Sequence, residues 1–179
     1  MSENRLIKAC KEGKSWARKE VYEQYAPTMM SLCKRYAGNN DDAKDILQEG
    51  FLKIFMQIDQ FSGTGNFGGW IRKIFVNTSL EFLRSQKRIK NKEVPFYEAW
   101  EEKPTALSDI TADELMECIA ELPDMYRVVF NLFAVEGYKH QEIAAMLHIQ
   151  ESTSRSQFYR ARQMLQESVT NLMNGKNAI

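Results

Sequence analysis

Between residues 42 and 58, apolar residues fall at Ala43, Ile46, Leu47, Gly50, Phe51, Ile54, Phe55 and Ile58. Steps of one, three and four put all of them on one face of an α-helix, whereas a strand of period two would divide them between both faces. A stripe this wide has to be buried against other helices, so the segment commits its surroundings to a helical bundle. Neighbouring segments carry the same period. Leu6, Ile7 and Cys10 predict a first helix, Gly13 and Ser15 mark a break and restart, and Ala17, Val21, Tyr22 and Tyr25 continue from there. A separate helix is predicted over residues 27–37 through Met29, Leu32, Cys33 and Tyr36, starting at Pro27. Gly38-Asn39-Asn40 reads as a turn, with Asn40 or Asp41 as the N-cap of the next helix. Glycine, Ser62, Thr64 and Asn66 make residues 60–69 a loop. A long helix over about 67–88 then buries Ile71, Ile74, Phe75, Thr78 and Phe82.

Beyond residue 90 the pattern lapses. Pro95, Pro104 and a run of acids read as a linker up to about residue 109. Helical spacing resumes from Thr111 through Leu115, Ile119 and Leu122, and Pro123 sits near the start of a helix over residues 124–134. A short helix over 140–147 buries Ile143, Ala144 and Leu147; His148-Ile149-Gln150 forms a tight turn; a longer helix covers residues 152–169. Short helix, tight turn and long helix together give the spacing of a DNA-reading helix-turn-helix. The expected fold class is therefore all-α: an N-terminal helical bundle and a C-terminal helix-turn-helix joined by an acidic linker.

Charge separates along the chain although its formal total is zero. Residues 1–92 hold 17 Lys and Arg against 10 Asp and Glu, residues 93–121 hold nine acids against Lys103 alone, and residues 122–179 hold six bases against five acids. That asymmetry, which the total conceals, bears on polyanion binding. With 44% hydrophobic and 27% charged residues the chain has a globular composition. No apolar run approaches the roughly 18 residues of a membrane span. Cys10, Cys33 and Cys118 are odd in number and never spaced C-x-x-C, as expected in a reducing cytoplasm.

Three surfaces carry chemistry beyond burial. On the face of the 42–58 helix opposite its stripe stand Asp45, Glu49, Leu52 and Met56, with Gln48 alongside; apolar anchors rimmed by acids predict a protein-docking face. On the next helix Lys73, Asn77, Arg84 and Arg88 form one stripe, and Trp70 lies at its edge beside the glycine-containing loop. Phosphate-binding groups, an aromatic ring and a polar loop are what recognition of unpaired bases requires. On the last helix Ser154, Phe158, Ala161 and Leu165 should face inward. Ser152, Ser156, Tyr159 and Arg160, flanked by Arg155 and Gln157, should face a DNA groove, and residues 152–166 contain no acid.

An enzyme is a poor alternative. His140 and His148 lack a third metal ligand nearby, neither a Gly-rich phosphate loop nor a G-x-S-x-G occurs, and the paired acids Glu101-Glu102 sit in the linker. No metal or cofactor is expected. A conventional helix-turn-helix regulator accounts for residues 137–169 but leaves the Leu52/Met56 face and the Trp70 region idle.

These segments resemble a family. Asp42-Ala43-Lys44-Asp45-Ile46-Leu47-Gln48-Glu49-Gly50-Phe51-Leu52-Lys53 resembles the polymerase-binding helix of bacterial RNA polymerase sigma factors. Phe67-Gly68-Gly69-Trp70-Ile71-Arg72-Lys73-Ile74-Phe75-Val76-Asn77-Thr78 with Leu83-Arg84 is similar to their −10-element segment, and Gly137-Tyr138-Lys139-His140-Gln141-Glu142-Ile143-Ala144 through Arg160-Ala161-Arg162 to their −35-reading helix-turn-helix. Length and the direct linker are similar to the extracytoplasmic-function group of the sigma-70 family. The resemblance implies sigma domain 2 over residues 1–90, a linker over 91–111 and sigma domain 4 over 112–175. It implies that Asp45, Gln48, Glu49, Leu52 and Met56 meet the β′ clamp of core RNA polymerase. The loop from Phe61 to Phe67, with Phe61, Ser62, Asn66, Phe67 and Trp70 as contacts, would take a flipped −10 base, with Lys73, Asn77, Arg84 and Arg88 on nearby DNA. Ser152, Arg155, Ser156, Gln157, Tyr159 and Arg160 would engage the −35 duplex. The β flap and an anti-sigma factor are further implied partners, and the linker would thread channels otherwise used by RNA. The chain departs from the family pattern at Lys139, where a Ser or Thr cap is usual, at His148 in place of the turn Gly, and at Gln150 in place of a capping Ser. A missing cap costs about 1 kcal/mol.

Overall fold

The computed structural model describes residues 3–86 and 110–176, and contacts divide the chain into two compact units, residues 1–86 and 87–179. The described residues are almost entirely helical. Most of the acidic segment, and Arg88, lie outside them.

In the first unit α1 (Glu3–Lys11) and α2 (Ser15–Ala37) are joined by a turn at Gly13, whose φ of 74° suits a residue without Cβ. α2 is one helix, although two were expected to meet at Pro27. Proline inside a helix leaves the carbonyl four residues earlier without its N–H partner and costs about 3 kcal/mol relative to Ala. Here Glu23, Gln24 and Pro27 all face solvent, so water can serve that carbonyl. Burial of Val21 on one side and of Met29, Leu32 and Cys33 on the other holds the helix together. Gly38 closes α2 in the left-handed region, with φ 77° and its N–H on the Lys34 carbonyl. The next cap therefore falls on Asn39, one residue before the expected position: its Oδ1 accepts from the Asp42 N–H at 2.9 Å and its Nδ2 donates to Asp42 Oδ2 at 2.8 Å.

α3 (Asn40–Gln57) runs on into a 3-10 turn at Ile58–Gln60. It buries Ala43, Ile46, Leu47, Gly50, Phe51 and Ile54 as the spacing predicts; Phe55 is half-buried. α4 (Phe67–Ser85) packs on both α2 and α3. Its buried set includes Ile71, Phe75, Val76, Thr78, Ser79, Leu80 and Leu83, while the expected Ile74 and Phe82 are only half-buried. The Phe75 ring stands edge-on to Phe51, centroids 5.3 Å apart, and lies directly over Gly50.

In the second unit Thr111 and Glu114 form a reciprocal capping box at the start of α5 (Ala112–Glu121). The carbonyls at its other end are satisfied by Arg127, a buried cation that donates to Ala120 O at 3.0 Å and Leu122 O at 2.7 Å and pairs with Asp124. Helix α6 (Asp124–Phe130) widens into a π-helical turn over Asn131–Val135. α7 (His140–Leu147) and α8 (Glu151–Lys176) follow. Cys118 and Ile119 of α5 and the following Leu122 pack with Ala161, Leu165 and Val169 of α8 in one apolar cluster.

Candidate nucleic-acid and partner interfaces

On α3 the side chains of Asp45, Gln48, Glu49, Leu52 and Met56 are all exposed. Leu52 keeps 53% and Met56 81% of its surface in contact with solvent, so neither is needed by the unit's own core. Lys53 sits between this face and α4, 3.6 Å from Glu49 and 2.5 Å from Glu81. One feature the spacing did not signal adjoins it. Tyr22 of α2 is exposed with its ring 4.7 Å from Phe51, and the Arg18 guanidinium lies over the Phe55 ring at 5.7 Å. Helical periodicity within α3 could not report aromatic surface contributed by another helix.

The loop before α4 is built on an aromatic floor. Phe61 and Phe67 lie 5.1 Å apart, and Trp70 packs on both, stacked on Phe67 at 5.7 Å. Phe61 is 5% and Phe67 0% exposed. The expectation that these two rings contact DNA is corrected: apolar rings this close to the α2–α4 core are taken up by packing, and they support Trp70 from below. Trp70 itself remains half-exposed. Ser62 and Thr64 face solvent with hydroxyls 2.9 Å apart. Gly63 and Gly65 hold φ of 79° and 90° with open space where a Cβ would stand. Asn66 is exposed, and its Oδ1 caps α4 by accepting from the Gly69 N–H at 3.0 Å. Lys73 and Asn77 are exposed and Arg84 half-buried along α4, so the basic stripe runs on from the loop.

The helix-turn-helix is held by its own turn. His148 takes the left-handed conformation, φ 54° and ψ 46°, where glycine would be at less cost. Lys139 has no acceptor in its side chain, so only half a capping box forms: the Glu142 carboxylate accepts from the Lys139 N–H at 2.7 Å. His140, the first residue of α7, is buried and hydrogen-bonded through Nδ1 to Ser154 Oγ of α8 at 3.0 Å. Its ring stacks on Phe133 with centroids 4.3 Å apart. Burial, with a smaller contribution from the Arg155 charge, pushes the imidazole pKa below its ordinary value of 6.5, while Glu151 works the other way.

Ser152 and Arg155 are exposed on α8, and Tyr159 and Arg160 half-exposed. Arg155 is drawn back along the helix to Glu151, at 2.5 Å. Two predicted base-reading residues do not stand there. Gln157 is 1% exposed, and Ser156 is 7% exposed with its hydroxyl donated to Thr153 O at 3.0 Å. Both α6 and α7 pack on α8, so its buried arc is wider than the Ser154, Phe158, Ala161 and Leu165 stripe suggested.

The three free cysteines are all buried. Burial raises each thiol above its ordinary range, Cys33 to about 12, which suppresses the thiolate that nucleophilic chemistry needs. Among the described residues no group of three or more His, Cys, Asp or Glu could hold a metal ion, and no helix is long and apolar enough to cross a membrane.

The family model for Sigma-70 region 2 matches residues 21–89, and that for Sigma-70 region 4 matches residues 112–165. The chain belongs to the sigma-70 family, in its extracytoplasmic-function group. As a sigma factor it directs promoter-specific initiation of transcription with core RNA polymerase; sigma factors as a class are non-catalytic initiation factors. It is 32% identical over 155 residues to the ECF RNA polymerase sigma factor SigE of Mycolicibacterium smegmatis. That alignment covers 83% of this chain, but the chain spans only 60% of the relative's length. It is 26% identical to the ECF RNA polymerase sigma-E factor of Haemophilus influenzae, covering 97% of this chain and 98% of the relative. To SigW of Bacillus subtilis it is 28% identical, covering 93% and 96%. Among solved structures, the sigma factor RpoE in complex with the anti-sigma factor NepR from Bartonella quintana shares the fold. There the TM-score is 0.54 and the identity 20%, over 85% of this chain and 96% of that one. CnrH in complex with the cytosolic domain of CnrY aligns over 97% of each chain with TM-score 0.50 and 17% identity.

Proposed function

We propose that this sigma factor works through three separate faces and has no catalytic step of its own. Residues 1–90 serve as sigma domain 2, residues 91–111 as the acidic linker and residues 112–175 as sigma domain 4. Asp45, Gln48, Glu49, Leu52 and Met56 dock on the β′ clamp of core polymerase, the apolar pair providing contact area and the acids steering the encounter. Ser62, Thr64, Asn66 and Trp70 receive an unstacked base of the −10 strand, while Lys73, Asn77 and Arg84 neutralise its backbone. Ser152, Arg155, Tyr159 and Arg160 engage the −35 duplex, with the second unit held near the β flap. Strand opening is driven by tighter binding of the melted form than of the duplex, a shift of population that needs no chemistry. The likeness to RpoE, seen with the anti-sigma factor NepR, supports an anti-sigma factor as a further ligand, competing with polymerase in the cytoplasm.

The observation that carries this reading is the outward face of α3. Leu52 and Met56 are among the most exposed large apolar side chains described, and a regulator acting on duplex DNA alone has no use for them. The test is recovery of core polymerase by the tagged chain. Wild type should retain the enzyme and a Leu52→Ala/Glu49→Ala variant, folded by circular dichroism, should lose most of it. Equal recovery would remove this face from the interface.

A further inference from the structure

The loop at residues 62–66 has little internal structure to fix its shape. Ser62 Oγ reaches the Thr64 hydroxyl at 2.9 Å and accepts from the Thr64 N–H at 3.4 Å, and Gly63 and Gly65 leave the backbone permissive on either side. Its conformation is therefore set at its two ends. At the far end Asn66 is locked by its cap on Gly69. At the near end the Phe61 N–H is bound to Ile58 O at 3.2 Å, and the Phe61 carbonyl accepts from Lys11 Nζ at 2.7 Å. Lys11 is the last residue of α1, fifty positions away, and α1 packs against the Ile58–Gln60 turn. A charge-assisted bond to a carbonyl whose residue is otherwise buried resists rotation of the peptide that leads into Ser62.

We propose that Lys11 is a positioning residue for base recognition: by holding the Phe61 carbonyl it fixes the direction in which the following Ser62 and Thr64 are presented. This rests on the assignment of the 62–66 loop to the −10 base. It gives α1, which carries none of the assigned contacts, a part in specificity. A positioning bond lost here loosens the loop for every base alike and so erases the difference between right and wrong bases.

The test uses the full chain assembled with core polymerase and single-stranded −10 oligonucleotides differing at one base. Lys11→Met should compress the ratio of best to worst base by about five- to tenfold, the scale of one ordinary hydrogen bond. Binding to core and to −35 duplex should stay unchanged, and Lys11→Arg should restore most of the ratio. Amide exchange at residues 62–66 in the free protein should be faster in Lys11→Met. A uniform loss across all bases with a shallower salt dependence would mean that Lys11 touches a phosphate, and would overturn the proposal. Unchanged exchange would overturn it too. Trp70→Ala distinguishes the levels: if that variant keeps full base preference, the assignment of the loop is wrong, whereas if it loses preference and Lys11→Met does not, only the role of Lys11 fails.

Discussion

A Cβ built on Gly50 would stand 2.3 Å from Cε1 of the Phe75 ring. No heavy atoms pack that closely, so Gly50→Ala forces either Phe75 off its rotamer or α3 away from α4. Overpacking of this kind costs about 1–3 kcal/mol, and urea denaturation of the first unit should show that loss with an unchanged slope. Equal stability would mean that the ring has room the structure does not show. Gly50 was legible as part of an apolar stripe, but the reason it has no side chain lies on a different helix. The same limit explains the reassigned residues. Phe61 and Phe67 stand next to a loop, and Ser156 and Gln157 stand on a polar stretch, so the sequence placed all four at the surface. Sequence reports which residues share a face of one helix; it does not report how many neighbours cover that face.

At the scale of the element, the spacing located each helix of the described residues, and its errors fell at junctions. Pro27 marks a boundary on local cost alone, but apolar contacts on both sides of it outweigh that cost. The segment after Phe130 was expected to remain α-helical, and it widens into a π turn at Asn131–Val135. The turn between α7 and α8 survives a His in the left-handed region, since the N–H of Ile149 still reaches Ala144 O at 3.0 Å. One consequence is measurable. The folded second unit disfavours protonation of His140 through burial and Arg155, with Glu151 opposing. The unfolded chain then binds this proton more tightly, so the stability that neutral His140 contributes is complete above its ordinary pKa of 6.5 and is lost as pH falls from there through the lower folded value. Melting temperature should drop across that interval in wild type and drop less in His140→Gln. Parallel curves would show that other groups govern the acid response.

At the scale of the whole molecule, the proposed −10 and −35 contacts fall in different compact units. Trp70→Ala should weaken binding to single-stranded −10 DNA, and Arg160→Ala should weaken −35 duplex binding while lowering the salt slope by about 1, the signature of one lost phosphate contact. Because the two residues lie in separate units, their combined loss on a full promoter should equal the sum of the single losses within about 0.5 kcal/mol. A larger departure would show that engagement of one element conditions the other. An Arg160→Ala protein with wild-type affinity and salt slope would take that residue off the DNA.

The amino-acid order alone determined the helical class, the two clusters of helices, the outward Leu52/Met56 face and the basic stripe of α4, because each is written in the period of a single helix or in local charge. What holds the Phe61 carbonyl, why Gly50 must stay bare, and which α8 side chains stay exposed were decided only by the tertiary structure. Those properties depend on atoms brought together across 50 residues from Lys11 to Phe61 and 14 from His140 to Ser154, and a periodic pattern carries no record of a contact between two different elements.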